Sequence, residues 1–458
     1  MLDGESVLFY WTWTTSRKRV EGFPDEVRGV TLSQVLKFRL QLRSTIRERL
    51  GVPRVTRYSL AWDMVAGLSA GAFMGMTMPF LTKIARGELH TSQSAISLLV
   101  AAPFIGNLFS PLWARQMEGK EKLPFCLYSW GFARALLLLM PFAFTGNIFI
   151  LLITLLQIIG TVATPAYTSI MRDIYPDAAR GRLMGYVRVC VQSAMFLATL
   201  ITGRLLDSGI SFRYLFPLAG IFGIGAALGF SHVRSLPAKN DPVGTLPRSL
   251  PPTSDARATG FLYETVRILK HNRAYRYFAL SVFVYGFANL LVQPLYGLYQ
   301  VDVLHISSTQ IANLTNAGSL CAIAGSFFWG RFMDRKGPPT TVMYGIVFIA
   351  LIPVIYLLTT RVEALFLAAF LSGMGGAAIE LSYLSSILLY AERERTAQYQ
   401  SLHSLLLGVR GVIAPLVGIP LIHAFGYHTV FFFAFLVMLV GAALQGFAVR
   451  VDKREKTL

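Results

Sequence analysis

Charge is scarce in this chain, and cysteine is scarcer. Only 14% of the 458 residues are charged while 54% are hydrophobic, and the mean hydropathy is +0.53. A water-soluble core of this size does not tolerate so little charge, so the composition indicates a membrane protein. The three cysteines, Cys126, Cys190 and Cys321, are scattered through apolar runs. They offer neither a disulfide framework nor metal-ligand spacing, and buried packing accounts for them. No G-x-x-x-x-G-K-[ST] loop occurs, so ATP is not held by a P-loop and any energy for work must come from elsewhere. The polar/apolar alternation of a membrane barrel is missing too, which makes the crossing segments helices, the other structure that satisfies its own backbone in lipid. No enzymatic activity, cofactor or metal is expected.

What the chain does have is apolar runs of the length a bilayer requires, about 20 residues each and about twelve in number. They fall near 60–84, 92–114, 123–145, 147–171, 181–206, 212–233, 274–300, 309–330, 340–360, 362–390, 397–424 and 427–449. The formal net charge of +18 could suggest nucleic acid, but its distribution argues otherwise. Lys and Arg gather at the N-terminus, in ARQMEGKEK, in MRDIYPDAARGR, after span six, in GRFMDRKG, in AERER and at the C-terminus, all on one side of the expected topology. That asymmetry is the positive-inside pattern and places both termini in the cytoplasm. The expected location is a bacterial-type inner membrane. The partners are the bilayer and a small molecule rather than nucleic acid, and the expected state is a monomer.

Three segments fall outside the bundle. Residues 1–30 show no period, as a misplaced start codon would also produce, while 31–50 set Leu32, Val35, Leu36, Leu42, Ile46 and Leu50 at helical spacing among five basic residues. Such a helix either lies on the cytoplasmic membrane surface or packs on the cytoplasmic face of the bundle. The Pro- and Ser-rich stretch after 233 reads as a linker. The expected organisation is therefore a cytoplasmic segment 1–58, a six-helix unit 59–233, a linker 234–273, a second six-helix unit 274–450 and a tail 451–458.

Two charged turns repeat half a chain apart. WARQMEGKEK aligns with WGRFMDRKGP so that Trp113 falls on Trp329, Arg115 on Arg331, Met117 on Met333, Glu118 on Asp334 and Lys120 on Lys336. Nearly the same offset brings Gly203 onto Gly418. With this duplication, the run Gly330-Arg-Phe-Met-Asp334-Arg335-Lys-Gly337 resembles the G-x-x-x-D-R-x-G signature of the major facilitator superfamily of secondary transporters. The first copy is a degraded form, with Ala114 for the glycine and Glu118 for the aspartate, and YPDAARGRLMG resembles the family's basic segment after helix four. The resemblance covers about residues 60–450. It implies an all-α membrane fold of two pseudo-symmetric six-helix bundles, alternating access about a midplane site, and a cavity lined by helices one, four, seven and ten. Asp334, flanked by Arg331 and Arg335, is then a candidate cytoplasmic latch, with Arg115, Glu118, Gly330 and Gly337 in the same gating turns; simple topology and a tight turn are the alternative.

Polar residues inside the spans are candidates for the substrate site, because a polar group there is costly and usually functional. Tyr285, Asn289 and Gln293 make one stripe on span seven, and Gln157, Thr161, Thr164 and Thr168 another on span four. Arg188 with Gln192 on span five and Tyr383 on span ten complete the set. Gly67, Gly71 and Gly75 form a small-residue ridge suited to close helix packing. Arg134 in span three has no obvious partner. Glu380 and Arg410 lie equally far from Arg395, so antiparallel spans ten and eleven would carry them at one depth, as a coupling ion pair or as a purely structural one. The chain reads as a secondary active transporter of a small organic molecule, export favoured, with protons as candidate coupling ion through Glu380. An uncoupled facilitator and a transporter-like scaffold that carries nothing are the alternatives.

Overall fold

In the computed structural model, residues 52–117, 120–234, 267, 269, 270, 272–391 and 396–455 are described. The helix expected over 31–50 and most of the linker 234–273 lie outside these residues, as does Glu118. The described residues contain helices and no strands. Among the described residues nine helices are long and apolar enough to cross a membrane, one of them a 55-residue run, Gln398–Asp452. That run breaks at Gly426, whose φ of 77° is a left-handed conformation that a side chain would strain, so it makes two passes, spans eleven and twelve. The more charged helix Arg54–Thr77 and the short Gln93–Leu108 supply spans one and two.

Local chemistry explains the ends and breaks. Span four is two pieces, Gly146–Gly160 and Ala163–Ile174, parted just before Pro165, which has no N–H to donate and crowds the carbonyl four residues back. Span three runs from Leu123–Ala135 into a tighter turn, Leu136–Phe142, that contains Pro141. Spans five and six are Asp177–Asp207 and Phe212–Phe230. Span seven, Arg273–Asp302, is capped by Asn272, whose Oδ1 accepts from Tyr275 N at 2.8 Å. Span eight, Ser308–Lys336, opens with a reciprocal Ser307–Gln310 capping box and closes at Gly337, φ 84°. Pro338 then starts span nine, Pro338–Leu358, and span ten is Leu365–Tyr390.

Helix pairing follows the duplication. Span one packs on spans five and six, span seven on the eleven–twelve helix, and spans eight, nine and ten on one another. The ridge on span one permits its contact: a Cβ on Gly71 would overlap the backbone carbonyl of Val191 on span five, and one on Gly75 that of Met195. The halves meet along two seams, span five with span eight and span two with span eleven. Gly203 lies against Ser308 and Ala312 in the first seam, and Gly411 against Phe104 in the second. Gly418, its repeat-related counterpart, serves a contact within its own half, against Leu291 of span seven.

Candidate functional site

On the face opposite the chain's C-terminus the halves are tied by polar bonds. Arg86 Nε donates to Asp302 at 2.9 Å while its Nη1 donates to the Thr91 carbonyl at 2.8 Å, and Gln93 adds a bond to Asp302 at 3.3 Å. Lys83 Nζ donates to the Ile306 carbonyl. Asp207, at the end of span five, accepts the Ser308 and Thr309 amides at 2.8 and 2.7 Å. A carboxylate at a helix N-terminus satisfies amides that have no partner within the helix and faces the positive end of the helix dipole.

On the opposite face the gating turns lie at the surface. Asp334, Arg331 and Arg335 are all exposed, and Asp334 forms no ion pair among the described residues. Arg331 donates to its own helix, at Phe327 O, 3.2 Å. Arg115 is also exposed, and Gly330 is half-buried, where a Cβ would meet only Leu381, at 3.9 Å among the described residues. Gly337 has a clear backbone reason, its positive φ. Trp329, which opens the motif, is buried and donates to Met374 O at 2.9 Å, joining span eight to span ten.

Deeper in the bundle, the charged residues do not pair as their depths suggested. Glu380 binds Arg188 of span five rather than Arg410, bridging the two halves. Each lies about ten residues inside the near end of its helix, roughly 15 Å by helical rise. Even so, their side chains are 63% and 68% exposed. Arg410 is 5% exposed and donates instead to the Val282 carbonyl of span seven, with its guanidinium 5.8 Å from the Tyr285 ring. The slot exists because residue 286 is glycine; a Cβ there would overlap the guanidinium. Arg410 points at span seven and Glu380 points out of its own half.

The polar stripes divide. Asn289 is half-buried and Gln293 exposed, whereas Tyr285 is buried against Gly441 and Arg410. Gln157 donates to Leu99 O of span two at 3.0 Å and so ties two helices, whereas Thr161 donates within its own span, to Ile158 O at 2.6 Å, and packs beside Gly106 of span two. Thr164 and Thr168 are exposed. Gln192, one turn from Arg188, is half-buried, and Tyr383 meets His403 Nδ1 at 2.6 Å. Arg134 does have partners: the Gly223 carbonyl at 2.8 Å and the rings of Trp130 and Phe73 at 5.1 and 5.3 Å. Sequence reasoning missed Asp63, 3% exposed, which accepts a 2.6 Å hydrogen bond from Tyr175. Its signal was plain, a single acid inside the apolar run 60–84.

The comparisons agree with this architecture. In sequence, 153 residues are 26% identical to Multidrug resistance protein 2 of Bacillus subtilis (strain 168), a stretch covering 33% of this chain and 37% of that relative. In structure, the chain is similar to a point mutant of the nucleoside transporter NupG, with a TM-score of 0.69 and 11% identity over 85% of this chain and 99% of that one. It is also similar to an inward-facing, unoccupied bacterial homologue of the human lysosomal transporter Spinster, with a TM-score of 0.60 and 15% identity over 87% and 98%. At such identities the structural likeness shows the fold alone. The Major Facilitator Superfamily model matches twice, over residues 64–278 and 278–458, nearly the whole bundle, and the chain therefore belongs to the Major Facilitator Superfamily.

Proposed function

We propose that this transporter moves a small amphiphilic organic molecule outward from the cytoplasm of a bacterial-type cell by alternating access, with Arg188 and Glu380 as the central charged pair. The observation that carries the reading is that pair: it joins span five to span ten across the halves in space open enough to leave both side chains mostly exposed. The opposite face is tied by Arg86–Asp302 and by Asp207 on the start of span eight. Alternating access needs such an asymmetry, one face fastened and the other open, with a polar site between. Protons are the proposed coupling ion. Protonating Glu380 removes the charge that holds Arg188 and frees spans five and ten to move relative to each other. Gln192, Asn289, Gln293 and Tyr383 are the proposed polar contacts, and the Asp334 turn is the latch of the alternative state. Export rests on the partial likeness to a multidrug resistance protein. Cytoplasmic termini rest on the distribution of basic residues.

Inverted membrane vesicles containing the protein, challenged with a panel of fluorescent amphiphilic dyes that includes ethidium, test the reading. Dye accumulation that collapses when nigericin dissipates the pH gradient supports proton-coupled export. Accumulation indifferent to the gradient removes the coupling, and none for any dye removes the substrate class. In intact cells, an impermeant maleimide should label a cysteine at Ser307 and spare one at Ser249; the reverse overturns the orientation.

A further inference from the structure

A separate cavity of about 180 Å³ lies wholly within the first half, bounded by spans one, three, four, five and six. Its lining includes Asp63, Trp130, Arg134, Tyr167 and Phe230, and its Met74 end reaches the surface, that side chain being 37% exposed. The Asp63 carboxyl is the unexplained group. Among the described residues its one hydrogen bond, from Tyr175, engages a single carboxyl oxygen, Oδ2. No ion pair reaches Asp63 among the described residues. Arg134, the other charge on the wall, is committed to the Gly223 carbonyl and to the faces of Trp130 and Phe73. A charge-bearing side chain is costly in this setting, and no cation of the fold pairs with it among the described residues, so its charge is open to a cationic ligand.

The walls say which ligand. Aromatic faces attract cations and pack flat rings, and here Trp130, Tyr167 and Phe230 form a contiguous cluster with ring separations of 5.3 to 5.7 Å. An apolar cavity of about 150 Å³ holds one benzene, so this one has room for a single ring with a short arm. We propose that the cavity binds a small ring-bearing amine in its ammonium form, with the nitrogen at Asp63 and the ring among Trp130, Tyr167 and Phe230. This site is distinct from the space between the halves and does not depend on what is carried there.

Isothermal titration of the purified full-length protein in detergent, with benzylamine and with the uncharged benzyl alcohol as probes, tests it. Benzylamine should bind saturably and at least tenfold more tightly than the alcohol, and Asp63→Asn should reduce it to the alcohol's level. Failure of the native protein to bind benzylamine, equal binding of both probes, or undiminished amine binding by Asp63→Asn overturns the proposal. Loss of amine binding in Glu380→Gln but not in Asp63→Asn would put the amine between the halves and also overturn it. If Asp63→Asn does not fold, Ala226→Leu decides the matter by filling the cavity from span six: amine binding must disappear, and its persistence refutes the site.

Discussion

Arg188 and Arg410 lie at comparable depth in the bundle and have opposite surroundings. Arg188 is 68% exposed and meets a carboxylate from the other half, whereas Arg410 is 5% exposed and meets a backbone carbonyl and a tyrosine ring within its own half. The first is a contact that a change of state can break cheaply, since a solvated ion pair is worth about 0–1 kcal/mol. The second is built into the packing, because moving a desolvated cation away from its acceptors leaves both unsatisfied. Depth alone therefore does not make a charge functional; the difference lies in whether its partner belongs to the same rigid half.

The sharpest way to break this comparison is at the exposed pair. Arg188→Gln or Glu380→Gln should reduce gradient-driven transport at least tenfold while leaving thermal stability nearly unchanged, and the swap Arg188→Glu with Glu380→Arg should restore part of the activity. A large fall in melting temperature for either single variant would show the pair to be structural. The buried arginine should respond in the opposite sense. Gly286→Val places a side chain in the Arg410 slot, and overpacking of that kind costs about 1–3 kcal/mol. Detergent-solubilised melting curves should show the loss, and an unchanged curve would mean that the slot is looser than its geometry.

A smaller effect is expected on the fastened face. Arg86 and Asp302 are partly exposed, so Arg86→Gln should cost about 1 kcal/mol or less. That is enough to shift a conformational balance a few fold. The buried Ser308, replaced by cysteine, should then react several times faster with a maleimide than in the parent background; equal rates would mean that Arg86 does not help to close this face. The smallest effect belongs to the glycine one turn before Arg188. A Cβ on Gly185 would meet nothing within 4 Å, in contrast to Gly286. Gly185→Ala should therefore raise stability by about 0.5–1 kcal/mol through helix propensity, and a loss would indicate that span five packs more tightly there.

Much of this architecture was legible in the one-dimensional pattern. Run length marked the spans, the repeated charged turn marked two related halves, and Gly337 was conspicuous in its motif for the positive φ it adopts. Asp63 was legible as well and was overlooked, since a lone acid in an apolar run is visible without coordinates. The Glu380–Arg410 pairing failed for a different reason. Counting residues from a loop gives height along a helix but not the direction in which the side chain leaves it. The stripe of Tyr285, Asn289 and Gln293 divides along its length, from buried Tyr285 to exposed Gln293, since one helical face can turn gradually from a neighbour toward the surface.

The sequence by itself determined that the chain crosses a membrane as helices, that it does so in two related sets, and where the turns fall. These depend on hydropathy, run length and local backbone chemistry, all properties of neighbouring residues. Only the tertiary structure decided that Glu380 meets Arg188, that Arg410 turns inward to span seven, that the fastened face carries Arg86–Asp302, and that Asp63 opens onto a cavity. Each of these depends on how distant helices are rotated about their axes. That rotation is set by close contacts at residues such as Gly71, against the Val191 carbonyl, Gly286, against the Arg410 guanidinium, and Gly411, against the Phe104 ring, all from segments far away in the chain.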